Sequence, residues 1–238
     1  LFFYDRVKPK KIPKGIKISF ENNIPICRGL GSSSTCIVAG LMAANVLSEA
    51  NLDKDEILKL AIELEGHPDN VAPAIYGNMI IAFMEDGNLY HESIKVPEEI
   101  RFLAMVPDFE LSTEKARAVL PKEIPHKHGV FNVSRCALLI AAFTKNNLNL
   151  VKAACKDKFH QDYRSHLINN YDDIVAYANS LDSLGTFLSG AGPTIMTLAK
   201  DGDDEILDKM KSYLAALPDN WQILDLHCDP NGAYYKEV

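Results

Sequence analysis

Gly29-Leu30-Gly31-Ser32-Ser33-Ser34 is the segment that most constrains this chain. Two glycines bracket one apolar residue, three hydroxyls follow, and residues 29–48 carry no charge. Glycine permits positive φ and lets the backbone approach a ligand closely. A helix that starts here presents unpaired N–H groups and the positive end of its dipole. Together these make a seat for phosphate, and the hydroxyls can reach the phosphates or a Mg²⁺ bound to them. A serine-capped turn before an ordinary helix has the same local pattern, so the segment alone leaves both readings open. Two other phosphate motifs are excluded. The chain has no Gly-Lys pair, hence no Walker A loop, and the run lacks the third glycine of a dinucleotide fingerprint.

The chain has 238 residues, 47% hydrophobic and 24% charged, the balance of a soluble globular protein. That length allows a sizeable core, in one large domain or two small ones. Net charge is −7 and the basic cluster Lys8-Pro9-Lys10-Lys11 is short, which argues against nucleic acid as a partner. Five cysteines, at 27, 36, 136, 155 and 228, form no C-x-x-C pair. Such a dispersed, odd set fits reduced thiols and a cytoplasmic location, without a disulfide frame or a zinc site. The uncharged segment from Gly29 is interrupted by serines, glycines and Asn45, so it reads as a buried helix, apolar nearly all round, and no membrane span is expected. Leu1-Phe2-Phe3-Tyr4 reads as a strand entered midway, with further residues expected ahead of Leu1.

Ile16, Ile18 and Phe20 alternate with polar residues, which predicts a half-buried strand ending at Pro25. Helices are predicted over about 35–50 and over 54–65, the second capped by Asp53. Gly66-His67-Pro68-Asp69-Asn70 breaks that helix. Residues 78–84 predict a strand and 85–88 a turn. Beyond Pro97 the pattern gives a strand at 101–106, helices at 113–120, 133–144 and 161–180, and strands at 185–188 and 194–198. The last two are joined by Ser189-Gly190-Ala191-Gly192-Pro193. A helix at 204–214 and strands at 221–227 and 233–237 complete the reading. Strands mixed with helices, without strict alternation, indicate an α+β fold. The domain boundary falls near 95, giving domains of 1–95 and 96–238.

Several side chains could carry chemistry. With Ile57, Leu58, Ala61 and Leu64 as the buried stripe of the second helix, Glu65 falls inside the arc and Glu63 opposite it. An inward carboxylate requires a partner or a metal. Asp69 sits in a proline turn, either bonding locally or acting on a substrate hydroxyl as base or positioning group. His67 contacts a substrate or caps that turn. On the 161–180 helix the stripe Leu167, Tyr171, Ile174, Ala178 turns Arg164 inward, towards an acid of the protein or of a ligand. Arg117 has the spacing of a surface residue.

Taken together these segments resemble the GHMP small-molecule kinase family. Pro25-x-x-x-Gly29-Leu30-Gly31-Ser32-Ser33 resembles its ATP loop, and Ser189-Gly190-Ala191-Gly192-Pro193-Thr194 its C-terminal glycine motif. Residues 63–73, 112–121 and 159–164 most resemble the branch of the family that acts on L-homoserine. The likeness runs from about residue 15 to about residue 200. It implies a ribosomal S5 domain 2-like N-terminal domain and a ferredoxin-like C-terminal domain. It also implies phosphoryl transfer from ATP, with Mg²⁺, to the side-chain hydroxyl of L-homoserine, in threonine biosynthesis; the sequence leaves the oligomeric state open, a homodimer included.

By the same resemblance Pro25, Gly29, Leu30, Gly31, Ser32, Ser33 and Ser34 hold the nucleotide. Ser33 and Glu63 serve Mg²⁺, with Glu65 in reserve. Arg117 and Arg164 grip the homoserine carboxylate, and His67, Asp69 and Asn70 line its hydroxyl. Thr113 lies near the γ-phosphate. Whether Asp69 is a base, or positioning and charge suffice, stays open. The proline-serine-asparagine-leucine-glycine segment with which family members begin is absent from these 238 residues. Two alternatives remain: a relative acting on a mevalonate-like or sugar substrate, and a non-catalytic ATP-binding module of the same fold.

Overall fold

The computed structural model describes residues 1–236, which divide into two compact units. The first comprises Leu1–Ile24, Gly31–Lys95 and the chain from Asp229; the second comprises Pro25–Leu30 and Val96–Cys228.

In the first unit α1 (Phe2–Val7), α2 (Ser32–Leu47), α3 (Lys54–Glu65) and α4 (Val71–Tyr76) surround one apolar cluster that includes Phe3, Val38, Leu58, Ala61 and Ile75. Asp53 accepts from the Glu56 amide and Glu56 accepts from the Asp53 amide, a closed capping box that fixes the start of α3 at its predicted position. β1 (Met79–Glu85) and β2 (Asn88–Ile94) form an antiparallel hairpin. Its turn residues Asp86 and Gly87 both have positive φ, as a tight two-residue turn requires.

Three expectations for this unit fail. Leu1–Tyr4 is not a strand, because a helical turn buries Phe3 in the apolar cluster. Ile16, Ile18 and Phe20 are exposed and their segment is not a strand; among the described residues nothing pairs with it, and alternation without a ladder gives no strand. α2 is not buried all round. Ser34, Val38 and Leu41 face the cluster, while Cys36, Ala39, Gly40 and Ala43 are exposed.

The second unit is built on an antiparallel sheet in the order β4-β5-β3-β6, formed by β3 (Ile100–Pro107), β4 (Gly185–Leu188), β5 (Ile195–Lys200) and β6 (Trp221–Leu226). The other elements are α5 (Thr113–Ala118), α6 (His126–Thr144), α7 (Val151–Ala154), α8 (Gln161–Arg164), α9 (Tyr171–Ser180) and α10 (Asp204–Leu214). Ile174 and Ala178 of α9 and Ile206, Met210 and Leu214 of α10 pack with Leu103, Met105 and Ile195 of the sheet in one core.

The predicted helix over 161–180 is broken. It runs through α8 and a 3-10 turn, stops at Ile168, and restarts after Asn170, whose φ is 57°. Asparagine tolerates this left-handed conformation, which lets the chain turn while Ile168 and Tyr171 both stay in the core. Residues 233–236 form no strand, and position 237 of that prediction lies outside the described residues. β2, α4 and α7 have no counterpart in the sequence prediction. The α+β expectation holds.

Candidate active site

The glycine-serine segment divides between the units at Leu30 and Gly31. In the second unit Gly29 has φ +75°, and a Cβ there would lie 2.5 Å from the Ser189 carbonyl oxygen and 2.8 Å from that of Gly192. Only glycine fits. Its carbonyl accepts from Ser189 Oγ at 2.8 Å, and the Thr194 amide donates to the Arg28 carbonyl at 3.3 Å. The two glycine motifs, 160 residues apart in sequence, therefore lie against each other. Arg28, which carries no motif signal of its own, anchors this part of the segment. Its guanidinium donates to the carbonyls of Pro107, Asp108 and Ile26.

In the first unit Gly31 is the N-cap of α2, with φ 73° and no side-chain cap, and the first turn of α2 has no acidic residue. The amides at this helix start are therefore not claimed by a capping side chain. Ser33 is exposed, and Ser34 is buried and donates from Oγ to Glu65 Oε1 at 2.8 Å. Glu63 is exposed on the other side of α3 and accepts from Arg6 Nε at 2.6 Å. The helical stripe thus pointed to the inward carboxylate, although Leu64, expected to be buried in that stripe, is 43% exposed, whereas the residue preferred from resemblance is held in a surface ion pair. Asn70 lies over Gly31, its Oδ1 3.9 Å from where a Cβ of Gly31 would sit. His67 Nδ1 lies against Asp69 Oδ1 in the turn before α4, and Asp69 is exposed. Gly31, the three serines, Glu65 and Asn70 are thus gathered at one helix start.

Thr113 opens α5, whose N-cap Ser112 accepts from the Lys115 amide at 3.2 Å. Arg117, on the same helix, is exposed. Arg164 closes α8 half-buried. It donates from Nε to the Ala116 carbonyl at 3.0 Å, and from Nη1 to the Gly190 carbonyl at 3.1 Å and to His160 Nδ1 at 3.2 Å. No acid pairs with Arg164 among the described residues. Burial, and then the like charge of Arg117, push its pKa below the usual arginine range, with Asp157 opposing them.

Asp157, His160 and Gln161 complete these surroundings and were not singled out from sequence. An aspartate can accept from the backbone amides that follow it, and that local signal was present in the sequence. Asp157 accepts from the amides of Phe159, His160 and Gln161 and from Asn132 Nδ2. Burial penalises its charge, but these donors outweigh that penalty and hold its pKa below the usual carboxylate value. Gln161 Oε1 accepts from the Leu188 amide and the Tyr171 hydroxyl, both at 3.0 Å.

The donors gathered beside the serines are hydroxyl and carboxylate oxygens, the hard ligands that Mg²⁺ takes, and it takes few of them because waters and phosphate supply the rest. Among the described residues no group of three or more His, Cys, Asp or Glu is assembled for a metal. No helix of the described residues is long and apolar enough to cross a membrane.

Known proteins resemble this chain in sequence and fold. Residues 2–78 match the family profile of the GHMP kinases N terminal domain, and residues 139–216 that of the GHMP kinases C terminal domain. A homoserine kinase of Clostridium botulinum is 48% identical over 229 residues, 96% of this chain and 76% of that protein. The crystal structure of homoserine kinase from Cytophaga hutchinsonii superposes with a TM-score of 0.82 at 29% identity, covering 89% of this chain and 69% of that one. Mevalonate kinase of Methanococcus jannaschii, 19% identical with a TM-score of 0.64 over 88% of this chain and 67% of that one, shares the fold alone. The chain belongs to the GHMP kinase family.

Proposed function

We propose that the chain transfers the γ-phosphoryl group of ATP to the side-chain hydroxyl of L-homoserine, yielding O-phospho-L-homoserine for threonine biosynthesis. The observation that carries this reading is Arg164 with Arg117 as its cationic neighbour: among the described residues no acid pairs with this half-buried guanidinium and its acceptors are neutral, which makes it a seat for a substrate carboxylate. The relative that is 48% identical bears the name of that activity.

Pro25, Gly29 and Leu30 shape the approach of the nucleotide, and the open helix start at Gly31–Ser34 takes the phosphates through its amides. Ser33 and Ser34 with Glu65 would hold Mg²⁺, which when bound neutralises charge on the phosphates. Glu63 would take that part only by leaving Arg6. Thr113 serves the γ-phosphate. His67, Asp69 and Asn70 orient the homoserine hydroxyl; Asp69 is exposed and paired with His67, so it positions that hydroxyl rather than acting as a desolvated base. Residues 1–95 and 96–238 act as the two functional domains, in a cytoplasmic homodimer.

A coupled ADP-release assay with L-homoserine, mevalonate and galactose tests the substrate. Turnover with L-homoserine is expected. Turnover with mevalonate or galactose alone would refute the assignment, and MgATP binding without any turnover would favour a non-catalytic module.

A further inference from the structure

Arginine has five N–H donors in one rigid plane. In Arg164 the Nε donor goes to Ala116, and the Nη1 donors go to Gly190 and His160. Among the described residues the two hydrogens of Nη2 have no acceptor. Because the group is planar, fixing Nε and Nη1 also fixes where Nη2 points. Two of the three fixed acceptors are backbone carbonyls, and the third is a side chain that selection could change. We propose that His160 is a positioning residue: a neutral acceptor that aims the Arg164 guanidinium at the substrate carboxylate without cancelling its charge. The proposal rests on the assignment of Arg164 to that carboxylate.

His160 Nδ1 can accept from Arg164 only if the imidazole proton sits on Nε2. The surroundings favour that form. Burial and then Arg164 lower the His160 pKa, with Asp157 opposing them, so the ring is neutral near pH 7. Its Nε2 faces Asp157 Oδ2 at 4.0 Å. Asp157 is itself held at 2.7 Å by the amides of His160 and Gln161 and at 2.6 Å by Asn132. The carboxylate therefore stands one residue removed from Arg164. An acid placed at 160 itself would pair with the guanidinium and compete with the substrate for it.

The decisive comparison is His160→Asn against His160→Asp. The two side chains have the same shape, and each sets an acceptor oxygen near the place of Nδ1, but only the second carries charge. For His160→Asn the homoserine KM should stay within about threefold of wild type, with the ATP KM unchanged. For His160→Asp it should rise by about tenfold or more, the size of one charged contact. His160→Ala should fall between them. In an Arg164→Leu background all three should add nothing. Equal KM values for the Asn and Asp variants would overturn the proposal, as would equal rises in the homoserine and ATP KM values. If Arg164→Leu by itself leaves the homoserine KM unchanged, the carboxylate assignment fails instead, which separates the two outcomes. Should the Ala variant not fold, the Asn–Asp pair still decides.

Discussion

Gly29 and Gly31 share a left-handed backbone and belong to the same motif, yet their surroundings are opposite. The side-chain position of Gly29 is filled by backbone of the second glycine motif, with the nearest oxygen at 2.5 Å. Around Gly31 the nearest atom stands at 3.9 Å, and no side chain caps the helix start that it opens. One glycine is there because protein must approach it. The other leaves a helix terminus open to a ligand. A glycine motif read from sequence thus contains two physical demands, packing and access, and only structure tells them apart.

Five substitutions break or sharpen that contrast. Gly29→Ala should be the most damaging, because the new Cβ meets backbone and the φ is positive. A loss of about 3 kcal/mol or more is expected in urea unfolding. A loss below about 1 kcal/mol would mean that the second motif moves aside easily and the contrast is false.

On the open side, Glu65→Gln should lower kcat roughly tenfold or more, whereas Glu63→Gln should stay within about twofold, since only Glu65 meets the serines. Steady-state kinetics at saturating substrates compares them, and the reverse ranking would return the metal to Glu63.

Asp157→Asn probes the packed surroundings of the second unit. The native carboxylate has its pKa below the usual value, so it contributes stability that is present above about pH 4 and is lost as pH falls through that lower pKa. The variant should be about 1–3 kcal/mol less stable at pH 7 and show a flatter loss below pH 4. Denaturant melts from pH 2 to 7 read both.

Gly31→Ala should have the smallest effect on folding, about 1 kcal/mol from its φ alone, but should raise the ATP KM. A large loss of stability would show that Gly31 too is a packing residue.

What was legible in the sequence was local. Asp53 and Glu56 lie three residues apart and fixed the start of α3, and the 3.6-residue period turned Glu65 inward. What was not legible depended on distant partners. Arg164 is held by Ala116 and Gly190, 48 and 26 residues away, so its inward direction could be read but not its lack of an acid. The alternation of Ile16, Ile18 and Phe20 is a real pattern, but a strand exists only in a ladder, and pattern does not supply the neighbour. The break at Asn170 was hidden because Leu167, Tyr171, Ile174 and Ala178 keep helical spacing across it.

The start of α2 is the proposed seat of the triphosphate. A crystal structure with Mg²⁺ and a non-hydrolysable ATP analogue tests it directly. The β- and γ-phosphates should accept from the amides of Gly31–Ser34, with the metal beside Ser33, Ser34 and Glu65. Phosphates bound elsewhere on the chain, with those amides still facing solvent, would contradict it.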